Sequence, residues 1–387
     1  MVKKNSLFTV TFGGWYQRTT LHLSEIYDLL ARGKSNLDLS PSKLEAFHQS
    51  FGFTSVTREM GDFEYVKAIT SSGIEIRYYE DGLYVLTQDS SDIKSAENKL
   101  KSYFDNVLHP AISYIFSLGA PTPKVLAAIK NTHPTVISTI KGDLKGLELG
   151  DIYSQITSKD YSVYKTPNYI FISATSSQAH LREMVEMQIF FREFKDQLQR
   201  YLDLHRQIWE EISDIKERGF IRGAEVEAVR QRLDSYEKTI NLIKSRISQM
   251  SSYVSTRSSI SEKLNLNKDL LSLFQYKYET LVDTHSYIQE IWNMTQDYIS
   301  TAIQVVNEVQ SRSSNNSIDS LRLITTIGVL SGILGYLSEE SFPQMTLIGL
   351  WYFLILALGT WFVNQVITLV FQKLKYPLSF TDNTLKK

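Results

Sequence analysis

Two apolar runs near the C-terminus constrain this chain more than any other feature. They are LRLITTIGVLSGILGYL (Leu321–Leu337) and TLIGLWYFLILALGTWFVNQVITLVF (Thr346–Phe371), separated only by SEESFPQM. As helices they reach about 25 Å and about 39 Å, against a bilayer hydrocarbon core of about 30 Å. The second run carries no charged residue and has aromatics near its outer end, as an interface belt would. The pair predicts a transmembrane hairpin, with a buried helical hairpin of a soluble protein as the alternative. Glu339 and Glu340 lie in the connection, Arg322 begins the first run, and Lys373 and Lys375 follow the second. The positive-inside tendency therefore predicts a multi-pass protein of the cell (inner or plasma) membrane with both termini cytoplasmic and the acidic connection outside.

Composition narrows the rest. The chain has 387 residues, a formal net charge of −1 and no cysteine. Disulfides, thiolate metal sites and cysteine nucleophiles are excluded together. Without a basic excess, no nucleic-acid polymer is expected as a partner. MVKKNSLFTVTF has only a short apolar run that alternates like a strand, so no cleavable signal is expected and insertion rests on the C-terminal hairpin.

Residues 1–177 read as one cytosolic α/β domain with a mixed or antiparallel sheet. Leu7–Phe12 is strand-like, and helices after Ser24 and Ser40-Pro41 stop at Gly33 and Gly52. FEYVKAI, GIEIRYY and LYVLT around Glu80-Asp81-Gly82 predict a hairpin-bearing sheet. A charged helix from about Ser91 to Leu118 follows, closed by Gly119 and Pro121-Thr122-Pro123. TVISTI, YSVYK and YIFISAT add further strands.

Residues 178–310 read as a long-helix stalk. One helix runs from about Ala179 to Arg218. The next carries an apolar stripe at three- and four-residue spacing, through Val226, Val229, Leu233, Tyr236, Ile240, Ile243, Ile247, Met250 and Val254. SSYVSTRSSIS is expected to mark a turn. A third stripe runs through Phe274, Tyr278, Leu281, His285, Ile288, Trp292, Thr295, Ile299, Ala302, Val306 and Val309. Such spacing predicts coiled packing of antiparallel helices, within the chain or between copies of it. Residues 311–372 then comprise a polar lead-in and the two apolar helices, about 321–337 and 346–371, before a cytosolic tail at 373–387.

At the junction Arg312, Asn315, Asp319, Arg322 and Thr326 form a polar stripe, with Ser313, Asn316 and Ser320 beside it. Polar groups entering a bilayer face a partner or water, so a ring of such helices would line an aqueous pore. The alternative is a solvated cap above the membrane.

NNSIDSLRLITTI (Asn315–Ile327) and SGILGYLSEESFP (Ser331–Pro343) are the residues in which the chain resembles the CorA family of magnesium transport channels. The first looks like that family's Asn-rich approach to its first span, and the second is similar to the signature region ending it. The resemblance covers roughly Glu262–Gln372 in motif and the remaining helices in outline, while the N-terminal domain matches only by class. It implies a CorA-like fold: an α+β cytosolic domain, long helices and a two-helix transmembrane hairpin, assembled as a homopentamer. It also implies candidate pore and selectivity residues Asn315, Asn316, Asp319, Thr326, Gly335 and Tyr336, and Mg2+ as permeant or regulatory ion. Leu323, Ile327, Leu330 and Leu334 fall on an apolar seam that would form a gate, and Arg322 would be a charge barrier. The family's Gly-Met-Asn positions hold Gly335, Tyr336 and Leu337, so the asparagine ring that meets a hydrated cation is missing.

No phosphate loop, HExxH motif or nucleophile constellation occurs, so an enzyme is not expected. Three readings stand open. The chain is a homo-oligomeric cation channel in the lipid bilayer, gated through its cytosolic domain by an ion or a ligand. Alternatively, it is a ligand-gated effector that forms a less selective pore in response to a small signalling molecule such as a nucleotide. The third reading is a non-conducting membrane scaffold that uses its coiled helices for assembly.

Overall fold

The computed structural model describes residues 8–16, 22–116, 134–140, 150–176, 180–337 and 347–378. They divide into two compact units, Met1–Leu204 with Ser245–Gln289, and His205–Lys244 with Glu290–Lys387. Pro121-Thr122-Pro123, the connection Ser338–Met345 and residues 379–387 of the tail lie outside the described residues.

The first unit is built on a nine-stranded sheet. Its strands are β1 (Phe8–Trp15), β2 (Phe53–Glu59), β3 (Tyr65–Thr70), β4 (Glu75–Tyr79), β5 (Leu83–Ser90), β6 (Thr135–Ile140), β7 (Ser154–Thr157), β8 (Tyr161–Lys165) and β9 (Tyr169–Ala174). Their order is β2-β3-β4-β5-β1-β6-β9-β8-β7, antiparallel throughout except for the parallel pair β6–β9. β1 is central, and its two faces have different jobs. Phe8, Val10 and Phe12 enter a core shared with α1 (Leu23–Arg32), α2 (Pro41–Phe51), α3 (Ile93–Tyr103) and α4 (His109–Phe116). Thr9, Thr11, Gly13 and Trp15 alternate onto the opposite face. A π-helical turn, Phe104–Leu108, joins α3 to α4 where the sequence predicts one unbroken helix. The expected stops hold, with Gly33 (φ 63°) and Gly52 (φ 60°) left-handed at the ends of α1 and α2.

α5 (Leu181–Glu217) lies along the second face of β1. Trp15 stacks on Phe194 with ring centroids 5.5 Å apart and meets Phe190 edge-on at 6.1 Å. A Cβ on Gly13 would stand 2.8 Å from Tyr84 O and 3.1 Å from Ile189 Cδ1, so glycine lets the helix close on the sheet there. From α6 (Val226–Lys263), Arg257 reaches the β4–β5 turn, its Nε 2.8 Å from Asp81 Oδ2 and its Nη2 3.1 Å from Oδ1. Both side chains are fully enclosed, and the guanidinium lies over the rings of Phe63, Tyr79 and Phe190. Asp81 also accepts the Leu83 N–H at 3.0 Å, so the buried carboxylate is fully engaged. A second carboxylate, Glu97 on α3, accepts from Lys101 (2.6 Å), Thr135 (2.8 Å) and Tyr169 (2.7 Å) and ties α3 to β6 and β9.

α6 does not turn within SSYVSTRSSIS. Ser252, Thr256 and Ser259 hydroxyls return to carbonyls of the preceding turn, and Val254, Arg257 and Ser261 are buried, so the serines are helical surface. The chain reverses instead at Asn265 (φ 57°), followed by α7 (Asn267–Phe274) and α8 (Tyr278–Leu337). Every residue of the stripe from Phe274 to Val309 is buried. That is helix packing, and nothing among the described residues establishes a coiled coil.

In the second unit His205, Trp209, Trp292 and Tyr298 interlock, with Trp209 and Tyr298 stacked at 4.7 Å. α9 (Leu347–Lys373) ends in β11 (Lys375–Pro377), which pairs with β10 (Phe220–Arg222).

Among the described residues no helix is long and apolar enough to cross a membrane. This corrects the expected transmembrane hairpin and, with it, the multi-pass cell-membrane location and the ion-transport channel that depended on it. Leu321–Leu337 is the final part of α8, about 25 Å long, and it carries Arg322, Thr325 and Thr326. α9 is a single helix of 27 residues, Leu347–Lys373, with the amides Asn364 and Gln365 in its second half.

Replacing Arg257 by Met strands Asp81 in the interior and is expected to cost about 3–5 kcal/mol in denaturant unfolding. Adding Asp81→Leu should recover at least half of that loss. For Glu97, burial favours the neutral acid, but the bonds from Lys101, Tyr169 and Thr135 outweigh it and lower its pKa. Its contribution is therefore present above the ordinary glutamate pKa of about 4.3 and lost as pH falls through the lowered folded value. Unfolding midpoints measured from pH 6 downward should fall less steeply in Glu97→Gln than in the wild type.

Candidate ligand pocket

Strand register assembles a polar patch on the α5 side of the sheet. Thr9 stands opposite Asp89 and Ser138, Thr11 opposite Thr87, Thr87 opposite Glu75, and Val85 opposite Arg77. Because side chains alternate, these residues share one face. Along β1 the character of that face changes: Trp15 and Gly13 are in close contact with α5, whereas Thr11 and Thr9 are not filled in by apolar side chains. Above them lies the start of α5, His180 to Glu186, and the two walls enclose a cavity of about 530 Å³. That is within the size range of small-molecule sites.

The polar groups are unevenly engaged. Arg77 is 7% exposed and bonded to Glu186 of α5 and to Glu75, the latter at 2.7 Å. Burial would lower its pKa, but the charges of Glu186, Tyr79 and Glu75 more than offset this and hold it above the usual arginine value. Thr9 donates to Asp89 Oδ1 at 2.7 Å. Arg182 pairs with Glu183 at 2.9 Å, and His180 Nδ1 lies 3.9 Å from the same carboxylate. Thr11 differs from all of these. It is 3% exposed, lines the cavity, and its hydroxyl takes no hydrogen bond among the described residues.

The helical ladder of α5 starts with Met184 N–H donating to His180 O at 2.9 Å. The amides of Leu181, Arg182 and Glu183 precede it in the first turn of the helix. They give that wall the partial positive charge of a helix N-terminus. The lining as a whole sets two arginines against four carboxylates, Glu75, Asp89, Glu183 and Glu186. Among the described residues no group of three or more His, Asp or Glu is placed to hold a metal. A second cavity, about 640 Å³ between α6 and α8, is lined by serines and by Glu262, Glu279 and Asp283. It has no buried hydroxyl left over.

The residues singled out from the sequence do not gather at either cavity. Asn315, Asn316, Asp319, Arg322, Leu323, Thr326, Ile327, Leu330, Leu334, Gly335 and Tyr336 all lie on α8. Thr326 and Arg322 are exposed, with the Thr326 hydroxyl donating to Arg322 O at 2.7 Å, and Leu330 is exposed as well. The other side chains in that group lie outside what the structure describes. The pocket itself went unnoticed in the sequence. Its trace there is the alternation of threonine with apolar residues in Phe8–Phe12, matched by Thr87 and Asp89.

No protein-family model matches the chain, and no curated protein matches it.

Glu186→Gln removes the charge through which Arg77 holds α5 to the sheet. Charge-assisted bonds of this kind contribute about 1.5–3 kcal/mol, and a loss of that size is expected in urea unfolding. Glu75→Gln, on a half-exposed partner, should cost less.

Proposed function

We propose that the chain is a small-molecule sensor that binds its ligand between the sheet and the start of α5 and responds through its long helices as a self-assembling effector. The observation that carries this reading is a cavity of ligand size, lined by Thr11 and the polar groups around it, whose other wall is the first turn of a 37-residue helix. A ligand there bridges β1 and α5 and fixes the helix at its start. An α-helix resists bending over this length, so the constraint bears on the whole element. In this reading the chain binds rather than catalyses. It retains from the sequence the ligand-responsive effector without the membrane pore.

Self-association is supported by α9. Trp351, Trp361 and Phe362 are about 60% exposed, and Ile355 and Leu358 equally so. The aromatics alone leave about 300–450 Å² of apolar surface in water, at 150–250 Å² per ring residue. With the aliphatic residues added, the patch lies in the upper part of the 300–600 Å² of the largest patch on a typical monomer, a size at which such patches are often functional. Further copies of the same chain are its proposed cover, and five copies is the number that the CorA resemblance implies.

Thermal melts with a pool of cellular small molecules test the sensor. A ligand at 100 times its Kd adds about 2.7 kcal/mol, which should raise Tm by about 3 °C in the wild type. Thr11→Phe, which fills the cavity, should abolish the rise; a rise that survives it would place the ligand elsewhere. Light scattering should give a multiple of the 44.5 kDa chain mass, reduced to one chain in Trp351→Ser/Trp361→Ser.

A further inference from the structure

We propose that β11 is a releasable strap that fastens the end of α9 to the α5–α6 turn, and that α9 self-associates only while the strap is closed. The proposal rests on the self-association reading above and adds its regulation. Leu374 follows α9 directly, and the chain then runs antiparallel to β10, with Phe220 opposite Pro377, Ile221 opposite Tyr376 and Arg222 opposite Lys375. A backbone bond closes each end of this ladder. Gly223 N–H donates to Leu374 O at 3.1 Å, and Leu378 N–H donates to Gly219 O at 3.0 Å. Ile221 and Tyr376 form the central cross-strand pair and are both buried, and the Lys375 ammonium lies 4.4 Å from the centroid of the Phe220 ring.

Three features keep this closure weak. The sheet has only two strands of three residues each, a size that is marginal in water. Pro377 brings no N–H to the ladder. The third feature is the Tyr376 hydroxyl, which is buried and takes no hydrogen bond among the described residues although the side chain is 8% exposed. Closing the strap therefore strips water from a phenol and supplies no partner, and opening rehydrates it. Such a contact opens locally without unfolding the rest of the chain. Closed, it fixes the end of the helix that carries Trp351, Trp361 and Phe362. Open, that end is released from the α5–α6 turn and the surface loses its fixed attitude.

Hydrogen exchange of the full chain, read beside light scattering over a concentration series, tests this with two variants. Tyr376→Phe removes the stranded hydroxyl and keeps the ring, so exchange at Ile221, Gly223, position 376 and Leu378 should slow about fivefold or more, and self-association should tighten about threefold or more. Tyr376→Asp should speed exchange at the same amides and shift the chain to single copies, with exchange in β1–β5 unchanged as the sign that it folds. Equal or faster exchange in Tyr376→Phe would overturn the strap, because the hydroxyl would then be engaged. Faster exchange in Tyr376→Asp with self-association intact would overturn its control of assembly. A wild type that remains a single chain at every concentration removes the self-association reading and that control with it, and the exchange rates of Tyr376→Phe then decide the strap alone.

Discussion

The close approach of α5 to β1 at Gly13 is the constraint on which the first unit depends. With no side chain there, Ile189 comes down to the sheet, and Trp15 can slot between Phe190 and Phe194. Two residues along the same strand face, the apolar fill stops at Thr11, and the helix and sheet are left with a polar gap. A tightly packed interior rarely leaves such a gap next to an unengaged hydroxyl. The cavity is therefore a product of how one strand is written, apolar and small at one end of its face and hydroxylated at the other.

Two buried ion pairs hold the helices to that face, and they differ in consequence. Arg257–Asp81 sits among three rings and has every polar atom of the carboxylate engaged, so its role is to fix α6 at the β4–β5 turn. Arg77–Glu186 lines the cavity and joins the sheet to α5 itself. A ligand that competes for either partner acts directly on the helix. The desolvation of such pairs makes their net stabilisation small while making the loss of one partner costly, which suits a register device better than a stabilising one.

Much of the architecture was legible in the sequence. Alternation located most strands, glycine located the stops of α1 and α2, and three- and four-residue spacing located the buried stripe of α8. The Ser-rich segment misled because serines read as turn-formers unless their hydroxyls can return to helical carbonyls, which depends on the buried neighbours Val254 and Arg257. The apolar runs misled for a different reason. Average hydropathy does not register that the first run continues a 60-residue helix with Arg322 near the start of the run. The pocket was the least legible feature, because it is made by pairing Thr9 with Asp89 and Thr11 with Thr87 across strands some eighty residues apart, and a single chain of letters does not display register.

Hydrogen exchange of the full chain, with and without the cellular small-molecule pool, addresses the central claim most directly. A ligand between sheet and helix should slow exchange in the first two turns of α5, Leu181–Met187, and in β1 and β5, and leave the facing turns of α6 and α8 unchanged. Protection confined to the α6–α8 groove, or exchange at Leu181–Met187 that the pool does not alter, would contradict a ligand site at the start of α5.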